Sequence, residues 1–304
     1  MKTMKRLNSK FIRKMMMALT SLTLLFSIVG CSNQSDTVTI GGKDFAEQEI
    51  LANMMKLLIE NETDLNVQLK TGLAANITWA ALKKGDIDGY VEYTGTGLIN
   101  ILNHKPVTDA EEAYNIVAEE FPKEFGITWL KPLGFNNTYV VTMRKDQAEE
   151  LGIKTVSDLA AKSDQLIFGT GQEWLGREDG FPAFEKIYNV NFKKVVTMDY
   201  GLWYPSVLNK EIDVIIPYST DGKLAAYDLV LLKDDKHLFP PYDAVPIFKD
   251  EVLKKHPELK EAVNKLANQI DETEMQKLNA KVEIDKEDAA KVAEEWLKEK
   301  GLLK

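Results

Sequence analysis

Short apolar strands alternate with amphipathic helices along most of this 304-residue chain, and that alternation restricts the fold more than any composition figure. Val38-Thr-Ile40 reads as a strand running into the turn Gly41-Gly-Lys-Asp44. Asp44, with Glu47 three residues on, makes a capping box for a helix whose apolar stripe is Ile50, Met54, Leu57 and Leu58. Val67-Gln-Leu69 is strand-like, residues 74–84 read as a helix, and 87–93 as the next strand. In that strand Ile87, Gly89, Val91 and Tyr93 alternate with Asp88, Tyr90 and Glu92, the period of a half-buried strand. A βαβα rhythm of this kind predicts an α/β fold with a largely parallel sheet.

Residues 108–120 open with a Thr-x-x-Glu box and read as a helix. The pattern restarts after Pro132, with strands at 139–143, 166–168, 212–216 and 230–232. Helices are expected around 156–161, at 181–188, and through Ser206 to Asn209 with Pro205 in the first turn. From about Asp250 the tail is helical, burying Ala289, Val292, Ala293 and Trp296. The two βα runs flank breaks near residues 134–139 and 233–242. A middle segment inserted into a discontinuous first lobe, with two hinge crossings, accounts for those breaks. A single continuous domain is the alternative that spacing leaves open.

Residues 1–30 stand apart from this pattern. Lys2, Lys5, Arg6, Lys10, Arg13 and Lys14 precede an apolar run, 15–29, too short for a comfortable membrane span, so the segment reads as a signal peptide. It ends in Ile28-Val-Gly-Cys31, the one cysteine of the chain. Small residues before a lone Cys resemble the lipobox of bacterial lipoproteins, in which the Cys is lipidated and becomes the mature N-terminus. An ordinary secretory signal with an incidental Cys is the competing reading. Residues 31–36 then serve as a polar tether, and Cys31 as an anchor to the cell membrane with no disulfide role. Loss of the leader removes six basic residues and no acidic ones, taking the net charge from −9 to −15. That is a poor match to nucleic acid or to an anionic membrane surface.

Catalytic constellations are missing from the pattern. His104, His237 and His256 share no ligand spacing, and neither a nucleophile elbow nor a phosphate-binding glycine loop is present. Gly169-Thr-Gly171 lacks the third glycine of a dinucleotide fingerprint and reads as a tight turn. Neither metal nor cofactor is expected. A secreted hydrolase using an Asp/Glu pair stays open, with no local pattern in its favour.

What the chain does carry is aromatic residues at the ends of strands: Tyr93, Tyr139, Trp174, Trp203, Tyr204 and Tyr218. Any one of them alone would ordinarily be core with its polar tip satisfied. Together they suit a quaternary ammonium, which has no N–H to donate and is held by ring faces worth roughly 0.5–2 kcal/mol each. Lys43 in its glycine turn, Arg177 in Leu-Gly-Arg-Glu-Asp-Gly180, and Thr94 and Thr96 beside Gly95 and Gly97 offer groups for a carboxylate. The glycines there are read as letting the backbone approach a ligand. Cage plus clamp describes a zwitterion such as a betaine.

Five stretches carry a resemblance across residues 37–304: Gly41-Gly-Lys-Asp-Phe-Ala-Glu-Gln48, Tyr90-Val-Glu-Tyr-Thr-Gly-Thr96, Gly134-Phe-Asn-Asn-Thr-Tyr139, Pro217-Tyr-Ser-Thr-Asp-Gly222 and Lys233-Asp-Asp-Lys-His-Leu-Phe-Pro-Pro-Tyr-Asp243. The chain resembles the substrate-binding lipoproteins of glycine betaine/carnitine/choline ABC importers. The resemblance implies a periplasmic-binding-protein-like fold, two α/β lobes around a ligand cleft joined by two hinge crossings, with lobe 1 at 37–138 plus 234–304 and lobe 2 at 139–233. It implies a cage of Tyr93, Tyr139, Tyr204 and Tyr218, and polar contacts from Lys43, Thr96 and Arg177. Asn137 falls where relatives carry an acid near the ammonium. Lys43 favours a ligand with a carboxylate, namely glycine betaine, proline betaine or carnitine; choline and ergothioneine are the alternatives within the family. A receptor for a primary-amine amino acid would need an acidic partner for the ammonium. The expected partners are a small zwitterion, an ABC permease and its ATPase, with no nucleic acid, and the protein is expected to be a monomer.

Overall fold

The computed structural model describes residues 36–176 and 180–303. The expected signal peptide, the lipidation of Cys31, all of the tether but Asp36, and Arg177 lie outside the described residues. Among the described residues, ten strands form two separate five-stranded sheets. The first holds β1 (Thr37–Lys43), β2 (Asn66–Leu73), β3 (Gly89–Tyr93), β4 (Ile127–Trp129) and β10 (Ala244–Lys249), in the order β2-β1-β3-β10-β4. The second holds β5 (Thr142–Arg144), β6 (Ile167–Thr170), β7 (Lys194–Thr197), β8 (Val214–Ile215) and β9 (Leu229–Leu231), in the order β7-β6-β8-β5-β9.

Neither sheet is largely parallel, contrary to the βαβα expectation. β1 pairs parallel with β2 and β3, and β6 with β7 and β8, as helix-linked strands should. β10 is antiparallel to β3 and β4, and β5 to β8 and β9. These antiparallel strands stand next to the segments that pass between the sheets. A strand arriving from another lobe needs no crossover helix and is free of the handedness that enforces parallel pairing.

The β3 expectation also needs correcting, because all five of its residues are buried rather than every second one. Lying between β1 and β10, the strand has cover on both faces. Tyr90 packs with Leu82, Phe121 and Trp129, while Val91 and Tyr93 pack with the helix Ala46–Glu62 and the helical tail. In that tail Ala289, Val292, Ala293 and Trp296 are buried as their spacing predicted. The second sheet builds its own core around Phe168, Trp174, Phe184 and Tyr204.

Three local readings shift. Phe45, not Asp44, is the N-cap of the first helix, without a side-chain cap bond. Asp109 rather than Thr108 caps the helix Ala110–Phe125, accepting from the Glu112 N–H at 2.8 Å. The helix expected at Pro205 starts a turn and a half earlier, spanning Tyr200–Leu208 with Pro205 inside it. That last shift moves the candidate site.

Candidate ligand-binding site

A cavity of about 720 Å³ is lined from both sheets' sides of the molecule. Lys43, at the end of β1, and Glu92 and Tyr93, at the end of β3, form one wall. Lys43 is ion-paired with Glu92, and both side chains are buried. Glu92 also accepts from the Tyr90 hydroxyl at 2.7 Å and from the Tyr93 N–H at 2.8 Å. The Lys43 ammonium lies 4.9 Å from the centre of the Tyr93 ring.

Glu47, in the first turn of its helix, lines the same wall and is buried. Its Oε1 accepts from the Tyr93 hydroxyl at 2.5 Å and the Asn137 amide at 3.0 Å, and its Oε2 from the Asn279 amide at 3.3 Å. Burial pushes the Glu47 carboxyl above its ordinary range, and these hydrogen bonds, with one from Thr220, pull it part of the way back. Burial first, and the Glu47 charge second, hold the Tyr93 phenol well above its usual value.

The facing wall belongs to the second sheet. Tyr139 and Tyr218 form an isolated antiparallel bridge, their rings stacked with centres 4.9 Å apart and hydroxyls at 3.3 Å. Tyr200 starts its helix at the cavity and donates its hydroxyl to Asp221. Asp221 in turn caps the helix Gly222–Ala226, accepting from the Lys223 N–H at 3.0 Å. Burial raises the Asp221 carboxyl to about 7.

Of the residues singled out from the sequence, Lys43, Tyr93, Thr96, Asn137, Tyr139 and Tyr218 line this one cavity. Tyr204 and Thr94 do not. Tyr204 is 1% exposed in the core of the second sheet, and its hydroxyl has no hydrogen-bond partner among the described residues. Because the helix begins at Tyr200, Tyr204 lies one turn deeper on the same face, behind Tyr200 at a ring separation of 6.3 Å. Thr94 donates to the Pro241 carbonyl and accepts from the Asp243 N–H, which ties β3 to the segment leading into β10. Trp174 and Trp203 are core residues as well. The glycines beside Thr96 serve packing: a Cβ on Gly95 would meet the Tyr242 ring at 2.6 Å, and one on Gly97 the Trp129 ring at 2.6 Å.

Sequence reasoning missed Tyr200, Glu47, Asp221 and Phe45, all of which line the cavity. Phe45 stacks on Tyr93 with ring centres 6.4 Å apart. Phe45, Glu47 and Asp221 stood inside the quoted motifs, where nothing local separates the two acids from solvated carboxylates. Tyr200 was hidden by the misplaced helix start.

A two-lobed α/β molecule with an aromatic, acid-rich cavity between two sheets has the build of a solute receptor. The family described as the substrate-binding domain of ABC-type glycine betaine transport systems (OpuAC) matches residues 36–299, and the chain belongs to it. It is 40% identical over 298 residues to the carnitine transport binding protein OpuCC of Listeria monocytogenes, covering 94% of this chain and 97% of that one. It is 37% identical over 282 residues to a glycine-betaine-binding protein of Pseudomonas aeruginosa, covering 89% and 90%. A crystal structure described as that of a glycine betaine/carnitine/choline ABC transporter is 38% identical and superposes with a TM-score of 0.84, over 88% of this chain and 99% of that one. The chain is therefore the extracytoplasmic substrate-binding component of an ABC importer, with permease and ATPase partners, rather than an enzyme.

Proposed function

We propose that this protein captures a quaternary-ammonium zwitterion, glycine betaine or carnitine foremost, in a cage of Tyr93, Tyr139, Tyr200 and Tyr218. The observation that carries the reading is the convergence of these four tyrosines, from both sheets' sides, on one cavity that Tyr242 also lines. Four ring faces at roughly 0.5–2 kcal/mol each supply several kcal/mol toward holding a very small ligand, and contacts to its carboxylate add to that. Lys43 and Thr96, with Arg177, take the ligand's carboxylate. An ammonium has three N–H donors, so Lys43 retains capacity beyond its bond to Glu92. The relatives named for carnitine and glycine betaine support the same class of ligand.

In this reading 37–138 with 234–304 is one lobe and 139–233 the other. The lobes close about the two crossings, so that the cage is complete only when occupied. The protein works as a monomer tethered by a lipid on Cys31.

One observation favours a second reading. The Lys43 charge is already met by Glu92, which suits a ligand that carries no carboxylate, such as choline. Calorimetric titration with glycine betaine, carnitine, choline, ergothioneine and unmethylated glycine separates the cases. Glycine betaine or carnitine should bind tightest. A preference for choline would remove the carboxylate role of Lys43, and tight binding of unmethylated glycine would remove the cage.

A further inference from the structure

Two of the cage tyrosines share an arrangement that ring faces alone do not require. In the first lobe the Tyr93 hydroxyl donates to Glu47, and in the second the Tyr200 hydroxyl donates to Asp221. Both acids line the cavity, both are buried, and neither forms an ion pair among the described residues. The charges around them leave an excess of negative. Lys43 is taken by Glu92 on the neighbouring strand, and Asp44 lies beside it on the cavity wall. Glu283, from the helix Glu272–Glu283, faces both acids, while the Lys223 ammonium sits over the Tyr200 and Tyr204 rings. Two further oxygens, Asn137 Oδ1 and Asn279 Oδ1, are buried with no hydrogen-bond donor among the described residues, although the amide nitrogens of the same side chains bind Glu47.

We propose that the cage keeps its counter-charge behind its rings, one carboxylate per lobe, with Glu47 behind Tyr93 and Asp221 behind Tyr200. This rests on the reading of the cavity as a quaternary-ammonium site. A phenol that donates to a carboxylate has a more electron-rich ring, which strengthens its attraction for a cation. A buried negative charge with no direct ion-pair partner is costly until a cation arrives, with Lys223 offsetting part of that cost at Asp221. A methylated nitrogen suits such a wall, because it carries charge and polarised C–H groups toward acceptors without needing to donate an N–H. Glu47 and Asp221 are therefore positioning residues that act through the tyrosines.

Proton linkage follows. With the cavity empty, burial favours the protonated form of both acids, and at Asp221 the Glu283 charge adds to it while the Lys223 charge opposes it. A bound cation favours the ionised form, so binding expels protons, and affinity for the cation rises with pH. A one-unit shift in one acid corresponds to about a tenfold change in affinity.

The test is calorimetric titration of glycine betaine into the mature protein at neutral pH, in buffers of low and high ionisation enthalpy. The series is repeated from about pH 5.5 to about pH 8, the span over which an acid near neutrality changes charge. The expected result is an observed enthalpy that depends on the buffer, with net proton release, and affinity rising about tenfold across the series. Asp221→Asn, which keeps a cap acceptor, should remove most of that slope. Tert-butylacetate, with carbon in place of the quaternary nitrogen, should release no protons. Tight betaine binding with a buffer-independent enthalpy and a flat pH profile would overturn the counter-charge and leave the receptor reading intact. So would an Asp221→Asn protein that keeps the full slope. Failure of every methylated amine to bind at any pH would overturn both.

Discussion

Tyr200 and Tyr204 sit one helical turn apart and are expected to behave in opposite ways. Tyr200→Ala removes a ring from the cage and should weaken glycine betaine binding by roughly 0.5–2 kcal/mol, about two- to thirty-fold, in calorimetric titration. Tyr204→Phe should leave affinity unchanged. Because the lost hydroxyl is buried without a partner, melting should show stability held or raised by about 1 kcal/mol. Lys43 and Glu92 make a second contrast. Lys43→Met strands a buried carboxylate and should cost about 3–5 kcal/mol in denaturant unfolding, whereas the double variant with Glu92→Leu should regain most of it. These contrasts mark how far side-chain chemistry could be read in advance. Tyr93, Tyr139 and Tyr218 were recognisable because each follows a strand or a turn that local pattern reveals. The choice between Tyr200 and Tyr204 depends on helical phase, and Pro205, a residue that ordinarily opens helices, set that phase wrongly. The acids were illegible for another reason: carboxylates are common on an acidic chain, and only burial distinguishes Glu47 and Asp221 from solvated ones.

Among the described elements, the helices Gly222–Ala226 and Glu272–Glu283 make a contact between the two halves of the molecule away from the crossings. A Cβ on Gly222 would lie 2.5 Å from the Ala280 nitrogen, so glycine is needed for the close approach. Around it Asn279 donates to the Thr220 carbonyl and Gln276 to the Ser219 carbonyl, each at 2.7 Å. Gly222→Val should push these backbones apart and shift the population toward an open cleft. Expected are a larger radius of gyration in small-angle scattering and weaker ligand binding, with helix content unchanged by circular dichroism. Unchanged scattering and affinity would show that the helices separate freely without consequence. Strands and helices along the chain were largely legible, because their periodicities survive in the apolar residues. The antiparallel pairing of β10 and β5 was not, since it depends on where a returning strand docks, which no local pattern records.

For the whole molecule, the buried acids set a pH dependence of stability with a definite sign. Burial raises Asp221 from 3.8 to about 7 and Asp243 from 3.8 to about 6, the latter helped by the Glu272 charge, and it raises Glu47 and Glu283 from 4.5. A carboxyl with a folded value above its unfolded one binds its proton more tightly in the folded state. Its contribution is complete below the unfolded value and is lost as pH climbs through the folded one. Acids held below their ordinary values, such as Asp158 beneath the Thr155 and Lys154 N–H groups, act in the opposite direction, but only as pH falls toward and below 4. Between about pH 4.5 and about pH 7.5 the buried set therefore dominates, and the chain's net charge of −9 adds repulsion in the same sense. The melting temperature of the ligand-free protein should fall by several degrees across that window, as a loss of about 2 kcal/mol would produce in a chain of this size. Saturating glycine betaine should reverse the trend in the ligand's own contribution, the increment in melting temperature growing with pH as the ionised acids gain their cation. Asp221→Asn should flatten both dependences together. Scanning calorimetry at a series of pH values, with and without ligand, measures all three, and a ligand-free melting temperature that holds level or climbs toward neutrality would mean that the cavity acids are paid for by some other positive charge.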